Sequence, residues 1–314
     1  MRERLYGKLG DRIFIAALVT LGGAVMFIAA LMAWELWSGG AKAFRTFGFW
    51  GFVFGREWNV ITGQFGAWPF LVGTVITSAV ALALAFLPSL AAAIAIAEYA
   101  PRWLGEVIAY LVDLLAALPS VVYGLWGIFV LVPLVRDRVE QPLFLWSAEH
   151  APALMGLLGP PTGIGMLSAV LVLALMIVPY ASSLARDAIR LVPREQREAM
   201  YALGATRWEV VRRVVLPYAR GGIFAGVILA LARALGETMA VTMLIGNGHQ
   251  LPYSVFGPAA TMASVIANEF TEAEGGLQLA SLLAVGFLLF LLSLVVNFAA
   301  DWILRRMSVG EGHE

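Results

Sequence analysis

The sequence predicts an all-α membrane protein that crosses the bilayer six times. Hydrophobic residues make up 61% of the 314 residues and charged residues only 13%, whereas soluble domains are about 45–50% apolar and about 25% charged. One soluble core of this size cannot bury so much apolar surface, but a bilayer can surround it. A hydrocarbon core of about 30 Å requires roughly 20 apolar helical residues for each crossing, and six segments satisfy that length.

The six predicted spans cover residues 13–37, 70–97, 107–135, 165–185, 222–245 and 277–304. The first has a basic lead-in and ends at Trp34 and Trp37, which suit a membrane interface. Its apolar run exceeds the roughly 7–15 residues of a signal peptide, so we expect a retained helix. Pro88, Pro119 and Pro179 lie in or near spans and predict kinks or breaks there, because proline cannot donate to the helical ladder.

The distribution of basic residues predicts the orientation. With a cytoplasmic N-terminus, the inner segments hold fifteen of the 21 lysine and arginine residues and the outer segments five. Basic residues accumulate on the cytoplasmic side, so both termini are expected there, in a bacterial cytoplasmic (inner) membrane. The three outer loops are then 38–69, 136–164 and 246–278. The first is too aromatic for a free linker, and we expect it at the interface or folded as a small cap.

Composition excludes several kinds of chemistry. The chain has no cysteine, and His150, His249 and His313 have no metal-ligand spacing, so we expect no metal and no cofactor. It has no G-x-x-x-x-G-K-[ST] motif, so ATP cannot bind here by that mechanism. No nucleophile–base pair points to an enzyme. An intramembrane enzyme or an ion-coupled transporter that uses Arg233 and Glu237 directly remains a competing interpretation.

Residues 193–217, which we call the helical knuckle, carry the strongest pattern. From Glu198 the chain reads EAMYALGATRWEVVRRVVLP. Gly204 ends a first short helix, and Thr206 with Glu209 predicts a capping box that begins a second. Pro217 is expected to end that second helix. Such a rigid, basic element could present itself to a cytoplasmic partner; an ordinary amphipathic surface helix is the alternative.

The helical knuckle resembles the "EAA" loop of permease subunits in binding-protein-dependent ABC importers. The matching residues are Glu198, Ala199, Gly204, Leu216 and Pro217. Met200 replaces the second alanine of that pattern, and Val214 replaces its isoleucine. In the family this loop docks on the ATP-hydrolysing subunit. The resemblance therefore implies that these residues couple the chain to an ATPase.

The fifth predicted span contains charged residues at Arg233 and Glu237, followed by Thr238. A charge at the helix centre costs about 2.5–3.5 kcal/mol on insertion scales and usually faces a cavity or a partner. The spacing i, i+4 places the pair on one helix face. A mutual salt bridge is the purely structural interpretation. The alternative is an anion site, in which the arginine fork binds oxyanion oxygens and Glu237 accepts a proton that hydrogen phosphate has and sulfate lacks.

A second resemblance covers most of the chain, from about residue 70 to 306. It is carried by residues 114–127, 176–189, 233–242 (RALGETMAVT) and 267–282, which resemble permeases of the phosphate-specific transport system, in particular the C-type of its two permeases. It implies a type I ABC importer permease that transports phosphate, with Arg233, Glu237 and Thr238 at the substrate site. A permease for another oxyanion, such as sulfate or molybdate, is the alternative.

The same resemblance implies partners and a domain organisation. The partners are an A-type permease, two copies of a cytoplasmic ATPase and an extracytoplasmic phosphate-binding protein. Residues 1–69 hold a tail, the first span and a loop; residues 70–306 form the permease domain; residues 307–314 form a tail. Glu269, Glu272 and Glu274 form an acidic patch in the last outer loop, where a solvated surface is favoured over contact with the binding protein.

Overall fold

The chain is helical over most of its length. A computed structural model describes residues 2–273 and 275–308, so Glu274 and most of the predicted tail 307–314 lie outside the described residues. The α-helices are Arg2–Phe47, Phe49–Phe54, Trp68–Ile94, Arg102–Ala117, Ser120–Trp126, Val132–Val135, Gln141–His150, Met155–Leu158, Met166–Arg190, Arg194–Ala202, Arg207–Val210, Leu216–Leu235, Met239–Leu244, Met262–Glu269 and Gly276–Ser308. Strands Trp58–Asn59 and Gln64–Phe65 pair as an antiparallel hairpin.

The prediction of six membrane-spanning helices is confirmed. Spans one to six are Gly10–Phe47, Trp68–Tyr99, Ser120–His150, Met166–Arg190, Arg207–Leu235 and Gly276–Arg306. Each is long and apolar enough to cross a hydrocarbon core. The helices run without interruption through Pro88 and Pro179, so the breaks expected there are absent.

The predicted bounds of the third span are wrong. Residues 107–135 do not form one helix, because the chain turns at Leu118 and Pro119, both with extended backbone. Arg102–Ala117 is a separate amphipathic helix, and span three begins at Ser120 and stays helical to His150. The predicted loop 136–164 is therefore helical over its first half. Hydropathy could not separate two apolar helices that are joined by two residues.

Within the described residues, four π-helical segments lie inside or at the end of longer helices, and each ends two residues before a proline. They are Ala95–Tyr99, Gly127–Leu131, Arg136–Glu140 and Val211–Val215, which precede Pro101, Pro133, Pro142 and Pro217. A proline ring clashes with the carbonyl four residues earlier, and in each case that carbonyl lies inside the widened π turn. Pro217 consequently does not end the second knuckle helix as predicted; the helix continues into span five.

Span four forms the centre of the bundle. It packs against spans two and five, and 61% of its most apolar window is buried within the chain. The core there combines Ala81 and Ala85 of span two with Leu173 of span four and Ala230 and Ala234 of span five. Small residues of this kind let helices approach closely in membranes.

Span one lies at the edge, with none of its most apolar window buried within the chain. It meets span six near its C-terminal end, where a Cβ on Gly40 would lie 2.9 Å from the Ala284 backbone. The aromatic segment beyond it folds as a packed cap, in which Phe52 and Trp58 are buried in one cluster with Phe70 of span two. The expectation of a small cap therefore agrees with the structure.

Candidate functional site

Span five breaks at the position of the predicted anion site. The helix Leu216–Leu235 ends before Gly236, and Met239–Leu244 forms a short second helix. The predicted continuous span 222–245 is therefore wrong. Irregular backbone at membrane depth is tolerated only where it is buried in protein or lines a water-filled cavity, and Glu237 in this break is buried.

The break brings Arg233 and Glu237 together. Arg233 Nη1 and Glu237 Oε2 are 2.6 Å apart, an ion pair whose alignment is not that of a hydrogen bond. Glu237 Oε1 accepts a hydrogen bond from the Ala240 N–H at 3.2 Å, so the carboxylate also caps the short second helix. The Thr238 hydroxyl donates to the Gly236 carbonyl at 3.1 Å and stabilises the turn.

The two charges are unequally accessible. The Glu237 side chain is 1% exposed and the Arg233 side chain 34% exposed. Within the described residues, Glu237 Oε2 is buried and receives no hydrogen bond. The pair thus places a buried carboxylate, whose Oε2 is held by the ion pair, beside a partly exposed cation. This arrangement matches a ligand carrying both an acidic proton and anionic oxygens.

Tyr180 is a neighbour of this site that the sequence analysis did not single out. The centre of the Arg233 guanidinium lies 6.0 Å from the Tyr180 ring centroid, within the range of a cation–π contact. The Tyr180 hydroxyl donates to the Ala116 carbonyl at 3.0 Å, and Tyr123 donates to Leu115 at 2.8 Å. Two tyrosines thus satisfy the C-terminal carbonyls of the helix Arg102–Ala117 beside Arg233.

The helical knuckle has the geometry that its sequence predicts up to Val210. Helix Arg194–Ala202 ends before Gly204, which has a φ of +82°, a conformation that favours glycine. The capping box is confirmed: the Thr206 N–H donates to Glu209 Oε2 at 2.8 Å, and the Glu209 N–H donates to Thr206 Oγ1 at 3.4 Å.

The knuckle also exposes large apolar side chains that its motif does not include. Tyr201, Leu203 and Trp208 are 44%, 83% and 54% exposed. The motif residues Glu198 and Ala199 are exposed as well. Apolar residues concentrated on a short rigid element are typical of a protein–protein interface.

A second polar cluster lies among residues of the predicted outer loops. His249 Nε2 is 2.8 Å from Glu269 Oε1, and Trp58 Nε1 donates to the two Glu269 oxygens at 3.1 and 3.0 Å. Burial raises the pKa of Glu269, but the hydrogen bonds from His249 and Trp58 outweigh it and lower that pKa below its usual value. Glu269 is thus a buried structural group, and the solvated surface expected there is wrong for this residue; Glu272 is exposed.

The break in span five, the knuckle and the six helices define a class of membrane transport protein. Residues 89–309 match the family described as binding-protein-dependent transport system inner membrane component, and the chain belongs to this family. It is a multi-pass membrane protein, one component of a multi-component transport system, and a transport permease rather than an enzyme.

Individual relatives within this family match nearly the whole chain. The phosphate transport system permease protein PstC of Mesorhizobium japonicum is 44% identical, over 97% of this chain and 93% of that protein. PstC of Pasteurella multocida is 42% identical, over 92% and 89%. The resemblance to C-type permeases is therefore confirmed.

A solved structure supports the fold. A chain of a bacterial alginate ABC transporter, crystallised with its alginate-bound periplasmic protein, superposes with a TM-score of 0.63 over 95% of this chain and 96% of that one. At 17% identity this likeness concerns the fold alone, and it agrees with the predicted all-α permease.

Proposed function

We propose that this chain is the membrane-spanning permease subunit of an ATP-driven phosphate importer, and that Arg233 and Glu237 hold the anion. The observation that carries the site is the buried Glu237 Oε2, which is ion-paired but not hydrogen-bonded to a guanidinium that is one-third exposed. The relatives that cover nearly the whole chain are phosphate transport permeases, which supports the choice of phosphate.

The chemistry of the pair favours a protonated oxyanion. Arg233 offers a planar set of donors that fits two oxygens of a tetrahedral anion. Glu237 Oε2 can accept the O–H of hydrogen phosphate, whereas sulfate at neutral pH has no proton and meets the carboxylate as repulsion. Discrimination of phosphate from sulfate thus comes from the unfavourable contact between sulfate and the Glu237 carboxylate. Thr238 shapes the turn that places Glu237.

The helical knuckle is the proposed contact with the ATPase. Its exposed side chains at Tyr201, Leu203 and Trp208 supply the apolar contact, and Gly204 supplies the turn between its helices. Glu198 and Ala199 lie on its exposed surface. Leu216 and Pro217 act at the junction with span five, since the helix passes through them without a break.

The assembly we propose has one copy of this chain, a second, A-type permease, two ATPase subunits and an extracytoplasmic phosphate-binding protein. Both termini and the knuckle face the cytoplasm, as the arginine distribution indicates. The binding protein releases phosphate at the opposite end of the bundle. ATP-driven closure of the ATPase subunits then moves the knuckle and turns the pathway inward, while Arg233 and Glu237 hold the anion transiently.

ATP-dependent uptake by the complete complex in proteoliposomes tests this proposal. Wild type, Glu237→Gln and the exposed control Glu106→Gln are each given labelled phosphate or labelled sulfate. Glutamine keeps one acceptor but replaces Oε2 with a donor, so phosphate uptake by Glu237→Gln is expected to fall roughly tenfold and its preference over sulfate to shrink. Glu106→Gln should behave as wild type.

Two outcomes would change the assignment. If wild type transports sulfate as well as phosphate and Glu237→Gln alters neither, the pair is a structural salt bridge and the substrate is a different one. If uptake does not depend on ATP, the chain is a secondary transporter instead.

A further inference from the structure

The end of span two contacts the helical knuckle through charged residues to which the transport site assigns no role. Span two ends in the π segment Ala95–Tyr99, which contains Glu98. The Glu98 side chain is 9% exposed. A buried carboxylate must be paired to be tolerated, so its partners define what this segment does.

Glu98 contacts both helices of the knuckle. Its Oε1 lies 2.7 Å from Nη2 of Arg197, which belongs to the first knuckle helix. Arg207, the first residue of the second knuckle helix, donates from Nη2 to the Glu98 carbonyl. The Arg207 guanidinium also lies 4.8 Å from the ring centroid of Tyr99. Two consecutive residues of span two thus hold the knuckle on either side of its glycine turn.

Arg197 ties a third element into the same contact. Its Nη1 donates to the Val192 carbonyl at 2.9 Å and its Nη2 to the Ile189 carbonyl at 2.8 Å. These carbonyls belong to the C-terminal end of span four, where orphan carbonyls need donors. One guanidinium therefore joins span two, span four and the knuckle, and its side chain is only 18% exposed.

An apolar cluster beneath this contact joins the same elements. Ala93 of span two, Ile189 and Val192 at the end of span four, and Val210 of the second knuckle helix are all buried together. Val215 extends the cluster into span five. The polar contacts therefore cap a packed junction, which resists independent movement of its members.

We propose that Glu98 and Arg197 form a clamp that makes span two move with the knuckle as one body. This inference rests on the proposed role of the knuckle as the contact with the ATPase. Span two reaches the transport site through the core, where its Ala81 and Ala85 pack with Ala230 and Ala234 on the helix that carries Arg233. The clamp transmits the movement, and the anion and the ATPase are bound elsewhere.

The transmission of movement through the clamp can be measured in proteoliposomes of the complete complex. The quantity to measure is the ratio of phosphate transported to ATP hydrolysed. Glu98→Gln keeps the size of the side chain but removes its charge, and Glu106→Gln is the matched control on an exposed carboxylate of the following helix. We expect Glu98→Gln to retain the ATPase subunits and to hydrolyse ATP, with a transport ratio reduced roughly fivefold, since residues that link two sites change coupling on that scale. Glu106→Gln should keep the wild-type ratio.

A cross-link provides the second test. The chain has no cysteine, so Glu98→Cys/Arg197→Cys, in a complex whose other subunits lack cysteine, can be joined specifically by a short bismaleimide. The free cysteine pair should show the reduced ratio, and the cross-link should restore it, because the clamp stays closed through the transport cycle. A merely structural ion pair would affect the yield of complex but not this reversal.

The outcomes separate the two proposals. A wild-type complex that fails to retain the ATPase or to transport phosphate contradicts the proposed function. A working wild type with an unchanged ratio in Glu98→Gln contradicts the clamp alone. So does a cross-link that stops transport or leaves the ratio low. If Glu98→Gln does not assemble, the cysteine pair before and after cross-linking decides the question.

Discussion

Two arginine–glutamate pairs in this chain differ in how many acceptors the arginine contacts. Arg197 makes an aligned contact with Glu98 and also donates to two backbone carbonyls. Arg233 contacts Glu237 without hydrogen-bond alignment and is nearly twice as exposed, 34% against 18%. The first pair joins three helical elements, whereas the second lies at a break within one span.

The comparison shows that an ion pair alone does not reveal its role. A guanidinium that donates to several buried acceptors fixes a structure, because any movement leaves those acceptors unpaired. A partly exposed guanidinium that contacts a single carboxylate oxygen can exchange that partner for a ligand. The pair 233–237 therefore fits transient binding, and the pair 98–197 fits a permanent junction.

The largest expected effect on stability belongs to the pair 98–197. Arg197→Met leaves Glu98 buried without a counter-charge and two carbonyls without donors, so the free energy of unfolding should fall by about 3–5 kcal/mol. Denaturant unfolding in detergent, followed by tryptophan fluorescence, measures this. Arg190→Met, at an exposed position, is the control. A loss as small as that of the control would mean that Arg197 is not a structural residue.

A third carboxylate, Glu269, differs from Glu98 and Glu237 because no arginine among the described residues pairs with it. Its partners include the neutral indole N–H of Trp58 as well as His249. Because its pKa is lowered in the folded chain, the stabilisation it provides is complete above the ordinary value of about 4.5 and is lost as the pH falls through the lower folded value. Hydrogen bonds to charged groups contribute about 1.5–3 kcal/mol each. Hydrogen exchange of the helix Met262–Glu269 should therefore accelerate at acidic pH relative to Glu269→Gln at the same pH. Equal pH profiles for the two proteins would contradict this.

Substitutions in the pair 233–237 should affect mainly transport. Arg233→Lys keeps the charge but loses the planar set of donors, so we expect the KM for phosphate to rise about tenfold, equivalent to about 1.4 kcal/mol. The free energy of unfolding should change by less than about 1 kcal/mol, because this side chain is one-third exposed. A large loss of stability with an unchanged KM would reverse the assignment of the two pairs.

The smallest effect is expected at Tyr180. Tyr180→Phe keeps the ring near Arg233 and loses the hydrogen bond to Ala116, which should cost about 0.5–1.5 kcal/mol and leave the KM near the wild-type value. Tyr123→Phe removes the equivalent bond to Leu115 and serves as the matched variant. If Tyr180→Phe alone raises the KM, its hydroxyl contributes to the site as well as to the fold.

Short sequence patterns predicted the local structure, but they could not predict contacts between residues that are far apart in the sequence. The Thr206–Glu209 capping box is complete within four residues, so the sequence predicts it. The contact between Glu98 and Arg197 joins residues 99 positions apart, and no periodicity relates them. The break after Leu235 was missed because apolar residues flank it on both sides, although Gly236 could have signalled it.

The π segments have a consequence for helical phase. A regular α-helix rotates about 100° for each residue, so one surplus residue would turn every later side chain to another face. A π turn absorbs that residue within its wider loop, and the proline two positions beyond prevents the turn from tightening. Pro217 in this way fixes the angle between the knuckle and Arg233, because the helix is continuous from one to the other. The prolines of this chain act as phase-setting residues more than as helix breakers.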